Sequence, residues 1–371
     1  MKLKKRGTLN MKINSTKYFI KKSTPYVVII SIILILCYCL TLLTMNLKIY
    51  EYGVEENLYK SYPNTNITVI IVLLALLCFI TPLMNCFYSK NKNAVDVYSS
   101  LPITKKKLTN IHLLVGYYEI IVPFTLSYFI GVFILLLRGA PFDMLSYVPF
   151  YFVLVVASIL FYITNSFFVS RANTMLDAIM FELMYIIIGS IAYLSVSNFI
   201  YGFGLDIRPS STIVLILSPF DTFVVSSNYF NSTIVIKMGG ATKEILEQYK
   251  LEYLLSFLIN LVYAGLGYFG IMYGCKHDKN ENAEQRSNSW FGYKTMLPIL
   301  LALSLMPISV IYSTGSIMST LLEYVLILSA YVIANMALEY RSIRIPKSRY
   351  IVMVCILATF MILNSVATLI K

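Results

Sequence analysis

Four acidic residues stand inside long apolar runs of this chain: Glu119, Asp177, Glu182 and Glu323. A carboxylate in the hydrocarbon core of a bilayer is costly, so each needs a partner, a water-filled path or a helix end. Asp177 has a helix end. Thr174-Met-Leu-Asp177 reads like a capping box, and the first turn of a helix favours an acid. Glu323 falls near an outer helix end, where it is expected to reach the interface. Glu119 and Glu182 lie deeper, roughly 10–12 Å inside the inner boundary at 1.5 Å rise per residue. They belong to different helices at similar depth. Two roles are open to them. They could line a water-filled inner vestibule, or stand as structural carboxyls bonded to hydroxyl and Asn side chains.

Other reactive side chains offer less. Cys37 and Cys39 project about 200° apart on a helix, so they cannot share one metal. Cys78, Cys86 and Cys355 fall in or at the ends of apolar runs and Cys275 at an inner end, where small packing residues are the expectation. His112 and His277 both lie at membrane-edge positions with no ligand neighbour in sequence. There is no G-x-x-x-x-G-K-[ST], no H-E-x-x-H and no C-x-x-C in the sequence. The expectation is a chain that is not an enzyme, with no catalytic residue, metal or cofactor. Any nucleotide chemistry must come from another subunit.

The elements that position these residues follow from hydropathy. The chain is 58% hydrophobic and only 13% charged, with mean hydropathy +0.73. A soluble domain carries about 25% charged residues. A bilayer core takes about 20 apolar residues per helix, and about nine candidate spans satisfy this. They lie near 25–46, 66–88, 111–137, 147–169, 174–200, 251–274, 295–313, 316–338 and 349–370. The fold class is therefore all-α, a polytopic transmembrane helical bundle in a multi-pass cell-membrane protein. The basic start of the chain is followed by no small-residue cleavage site, so a cleaved leader is not expected. Lys371 is expected outside.

Placing the N-terminus in the cytoplasm puts 22 of the 30 Lys and Arg residues on inner segments. This is a strong positive-inside bias. The net charge of +12 then reports topology and attraction to anionic lipid rather than to nucleic acid. Inner segments include the stretch 10–23, which suits an interfacial helix on the inner leaflet. The one long outer segment, 201–250, contains an apolar piece at 212–220, read as re-entrant or interfacial, and an amphipathic piece at 241–249. Gly270 and Gly274 form a G-x-x-x-G helix-contact motif.

Between the second and third spans runs a basic loop, Tyr88 to Ile111. Pro102 restricts Leu101 and ends any helix there. Ala94–Ser100 suits one short helix presenting Val95, Tyr98 and Leu101 on one side. Thr104 suits the N-cap of a second, Lys105–Asn110, leading into span three. Such a loop can dock a partner through apolar knobs, with Asp96 and the lysines setting register. The alternative is a loop whose lysines only fix topology.

The run Asp96-Val-Tyr98-Ser-Ser-Leu101-Pro102-Ile-Thr104-Lys105, then Leu113-Leu-Val-Gly116-Tyr and Pro123, resembles the membrane subunits of type-2 ABC transporters of Gram-positive bacteria. Asn173-Thr-Met-Leu-Asp177-Ala is similar to that family's short inner turn. Asn282-Ala-Glu284-Gln-Arg286 is similar to its polar inner loop, with the basic residue after the Glu instead of before it. The resemblance implies a permease, an exporter in its simplest reading, that couples to a separate cytoplasmic ATPase subunit. The coupling residues it implies are Asp96, Tyr98, Leu101, Pro102 and Lys105. A second permease copy or a paralogue would complete the path, and membrane lipid would surround it.

The implied organisation has four parts. Residues 1–24 are a basic cytoplasmic segment with an interfacial elbow. Residues 25–274 are a six-span core with coupling loop 89–110 and outer loop 201–250. Residues 275–294 are a cytoplasmic linker, and 295–371 hold additional spans. Two other classes compete with this reading. An ion-gradient-driven secondary transporter predicts internal repeats and broken helices, and no clear repeat is visible. A membrane sensor or scaffold would relay a signal without moving substrate.

Overall fold

A computed structural model gives the fold and describes residues 2–44, 50–52, 59–61, 67–100, 102–138, 144–202, 223, 226, 243–277, 280–311 and 317–370. The protein is an all-α polytopic bundle. In chain order the helices are α1 (Lys2–Thr44), α2 (Ile67–Cys86), α3 (Lys92–Ser99), α4 (Lys105–Leu137), α5 (Met144–Arg171), α6 (Met175–Gly202), α7 (Lys243–His277), α8 (Tyr293–Ile311), α9 (Ile317–Ala334) and α10 (Lys347–Ile370). Between α1 and α2 two three-residue strands, β1 (Tyr50–Tyr52) and β2 (Tyr59–Ser61), pair antiparallel with Tyr50 opposite Ser61. A π-helical turn, Asn335–Tyr340, closes α9.

Seven helices among the described residues are long and apolar enough to cross a membrane. They account for the first six expected spans and the eighth. The expected spans 295–313 and 349–370 are also helical, as α8 and α10. Two expectations are revised in continuity. The stretch 10–23 is not a separate elbow, because α1 runs unbroken through Pro25. Pro25 removes one backbone donor, and in the turn before it the hydroxyls of Ser23 and Thr24 donate to the Ile20 carbonyl at 3.1 and 2.9 Å. The amphipathic piece 241–249 likewise joins span six from Lys243 onward as α7. The apolar piece 212–220 lies outside the described residues.

The chain divides into two compact units. The first is Met1–Cys86, Ser99–Ser166 and Thr222–His277. Its centre is α4, against which α1, α2 and α7 pack. Lipid offers no hydrogen bonds, so interhelical polar groups pair within the protein. The Tyr128 hydroxyl donates to the Tyr147 carbonyl at 2.8 Å, and the Asn165 amide donates to the Cys78 carbonyl at 3.2 Å. The Arg138 guanidinium caps the carbonyl of Leu42. A small residue brings α1 close to α4: a Cβ on Gly131 would collide with the Tyr38 ring.

The second unit is Phe87–Tyr98, Phe167–Asp221 and Asp278–Lys371. Here α8 is central and packs on α6, α9 and α10. The Ser195 hydroxyl donates to the Leu303 carbonyl at 2.6 Å. The Phe181 and Tyr293 rings meet edge-on at 4.8 Å, and Gly292 lets Phe181 lie flush on the start of α8.

Candidate functional site

Helix α3 is built by short-range chemistry. Asn91 is its N-cap: Oδ1 accepts the backbone N–H groups of Asn93 at 3.0 Å and Ala94 at 3.4 Å. The helix stops at Ser99, shortly before the Leu101–Pro102 break. Its two faces differ from the sequence expectation. Val95 is buried and Tyr98 half-buried, with the Tyr98 ring 4.7 Å from that of Tyr88. Val95 and Tyr98 share a face by their three-residue spacing, and that face turns into the protein. Asp96 and Val97 point outward, Val97 with 64% of its surface exposed. Leu101 lies outside the described residues, and Pro102 and Lys105 are exposed. The expected second short helix is the first part of α4. Thr104 occupies the N-cap position with extended backbone (φ −66°, ψ 144°), but its hydroxyl makes no cap bond.

The N-terminal end of α3 is held at two points within its unit. The Lys90 ammonium, almost fully buried, donates to the Ala172 carbonyl just before α6. The backbone N–H of Lys92 donates to Glu284 Oε1 at 3.2 Å. Glu284 adopts a left-handed conformation (φ 63°), and its own N–H donates to the Asn173 carbonyl at 3.1 Å. Asn173 answers in the other direction. Its backbone N–H donates to Ser287 Oγ at 2.7 Å and its amide to the Arg286 carbonyl at 3.3 Å. The two inner turns singled out in the sequence, 173–178 and 282–286, are thus one structure.

Asp177 is the hub of that structure. Its side chain is fully buried. The Ser287 hydroxyl donates to Oδ2 at 2.6 Å, and the Tyr293 hydroxyl donates to Oδ1 at 2.8 Å. Arg341 Nη2 donates to the same Oδ1 at 2.8 Å and to Thr174 Oγ1 at 3.3 Å. The Asp177 N–H donates to Thr174 Oγ1 at 3.2 Å, the backbone half of the expected capping box. The other half is replaced. The carboxylate turns away from the cap and gathers three donors from beyond its own helix. Charge-assisted bonds of this kind are roughly twice as strong as neutral ones. The Arg286 guanidinium lies 4.4 Å from the centre of the Tyr340 ring and adds a cation–π contact between loop and π-turn.

Ser287, Tyr293 and Arg341 were not identified as site residues from sequence. Each comes to Asp177 from more than a hundred residues away, and no local pattern marks a hydroxyl or a guanidinium for such a meeting.

The other candidates separate. Glu119 sits in the first unit, nearly buried, and Oε2 accepts the Asn85 amide at 2.7 Å. Neighbouring Gly116 makes room for Asn85 and Tyr162, since a Cβ there would collide with both side chains. Glu182 sits in the second unit, fully buried, and among the described residues neither carboxyl oxygen has a hydrogen-bond partner. Glu323 is exposed near the start of α9, as expected. The six cysteines form no disulfide among the described residues, and Cys275 Sγ lies 3.1 Å from Thr109 Oγ1. Among the described residues no cluster of His, Cys, Asp or Glu could hold a metal ion.

No protein family, curated protein or solved structure matches this chain. What fold and site define together is the class: a multi-pass helical membrane protein with a latched amphipathic helix between its second and third spans.

Proposed function

We propose that the chain is the membrane-spanning permease subunit of a type-2 ABC transporter, an exporter in a bacterial cell membrane. ATP is bound and hydrolysed by a separate cytoplasmic subunit that docks on α3. A second permease, identical or paralogous, completes the transport path. One observation carries this reading. A two-turn helix in a basic stretch of the sequence, capped by Asn91 and followed by Leu101-Pro102, buries Val95 on one face and exposes Asp96 and Val97 on the other. A loop that served only to fix topology needs neither anchor nor cap. The absence of any nucleotide-binding motif from the sequence is consistent with energy arriving from another chain.

The experiment is co-purification with the ATPase subunit, followed by ATPase assay of the complex. Alanine at Asp96 and at Lys105 and glutamate at Val97, all exposed positions, should detach the ATPase or uncouple its hydrolysis from the permease. Full binding and full stimulation in all three variants would remove the coupling role.

A further inference from the structure

The seam between α8 and α10 lies in the second unit, away from α3 in sequence, and is held from beneath. Arg349 pairs with Glu339, both nearly buried, and its Nη1 donates to the Lys294 carbonyl at 3.1 Å. This brings the start of α8 and the start of α10 together. Around the seam stand three exposed cations, Lys294, Arg344 and Lys347, none with a carboxylate partner among the described residues. Two acids of the same unit are already paired: Glu339 is buried on Arg349, and Asp177 is buried on Arg341. Beside the cations stand apolar side chains without cover. Ile343 is 84% exposed in the turn before α10, and Trp290, the sole tryptophan of the chain, is 67% exposed just before α8.

We propose that this surface binds acidic phospholipid at the inner leaflet, with Lys294, Arg344 and Lys347 on the headgroup phosphate and Ile343 and Trp290 seated among the upper acyl chains. Position argues for lipid. Both α8 and α10 turn apolar immediately after this point, so the surface lies where a bilayer would begin. Trp at a helix entry is an interfacial residue. An isoleucine between Arg341 and Arg344 gains nothing from water but gains burial in lipid. Charge complementarity argues for an acidic headgroup, since each cation near an anionic leaflet is worth about a fivefold preference. The inference rests on the helical membrane fold and its charge distribution, not on the transporter reading.

The test uses the full chain in detergent, with native mass spectrometry of bound lipid after titration with phosphatidylglycerol or phosphatidylcholine. The wild type should retain phosphatidylglycerol preferentially. The triple variant Lys294→Gln/Arg344→Gln/Lys347→Gln should lose most of that preference at unchanged thermal stability, because all three side chains are exposed. Ile343→Ser should weaken both lipids. Equal retention of the two lipids by the wild type would overturn the proposal. So would an undiminished preference in the triple variant, which would show that lipid is held elsewhere.

Discussion

Asp177 and Arg341 meet at 2.8 Å across 164 positions of sequence, one fully buried at the start of α6, the other partly exposed in a left-handed turn after α9. The pair is unequal, and the inequality has consequences. Arg341 can be rehydrated if its partner is lost. Asp177 cannot.

Three substitutions should therefore rank. Asp177→Ala removes the acceptor for Ser287 and Tyr293 together with the ion pair, and should cost about 3 kcal/mol. Asp177→Asn keeps one acceptor oxygen for Tyr293 and places an amide toward Ser287, whose hydroxyl can accept, so about 1 kcal/mol is expected. Arg341→Ala leaves a buried carboxylate with two hydroxyl donors and should fall between them. Thermal unfolding of purified variants in one detergent gives the order. An Asp177→Asn variant as unstable as Asp177→Ala would mean the charge, not the hydrogen-bond count, holds the hub.

Glu284 offers a test of backbone against side chain. Its φ of 63° favours glycine, yet its carboxylate accepts the Lys92 N–H. Glu284→Ala loses the acceptor and keeps the strain. Glu284→Gly loses the acceptor and relieves the strain. The glycine variant should be the more stable of the two by about 1 kcal/mol. Both should loosen the start of α3, read as faster protease cleavage between Ser89 and Ser100 than in the wild type.

How far the sequence could be read depends on the range of the interaction. Apolar runs are local, so α2, α4, α5 and α6 lie close to where hydropathy puts them. The stop before Pro102 and the Thr174 cap are also local: α3 ends at Ser99, and Thr174 Oγ1 accepts the Asp177 N–H. The facing of α3 is not local. Val95, Tyr98 and Leu101 form the obvious apolar stripe, and an apolar stripe seeks cover. Sequence cannot say whether the cover is a partner or the protein itself; for Val95 it is the protein. The Asp177 hub lies further out of reach, because Ser287, Tyr293 and Arg341 are ordinary loop and helix-end residues until tertiary packing joins them. Glu119 was legible as a carboxyl in need of a donor, though not that the donor would be Asn85.

The two valines of α3 separate folding from docking. Val95→Ala trims a buried side chain and should cost about 1 kcal/mol of stability. Val97→Glu changes an exposed one and should leave stability unchanged. On the proposed function, Val97→Glu abolishes co-purification of the ATPase subunit, while Val95→Ala weakens it only as far as it loosens the helix. If Val97→Glu binds the ATPase normally, the outward face of α3 is not the contact.

Gly116 is where α4 lies tightest against Tyr162 and Asn85. A methyl group there must displace one or both, and displacing Asn85 breaks its bond to Glu119. Overpacking of this kind costs about 1–3 kcal/mol. Removing the Tyr162 hydroxyl makes part of the room, so Gly116→Ala/Tyr162→Phe should recover some of the loss seen in Gly116→Ala alone. The double variant should be less destabilised than the sum of the two single variants by more than about 0.5 kcal/mol, a coupling between neighbours. Simple additivity would place the strain on Asn85 instead, and Asn85→Ala would then be the rescuing partner.

Glu182 is a buried acid whose removal should stabilise the fold. It is fully buried on α6, five residues beyond Asp177, and lacks the donors that Asp177 collects. A buried polar group without a partner is a cost to the fold, about 1–3 kcal/mol. Glu182→Leu should therefore raise the thermal midpoint, where almost any substitution at Asp177 lowers it. On the proposed function, measured in vesicles with the ATPase subunit, Glu182→Leu should be more stable and less active, and Glu182→Gln should share the loss of activity. If both variants transport normally, Glu182 has no role in the transport cycle, and the inner-vestibule reading is removed for this residue.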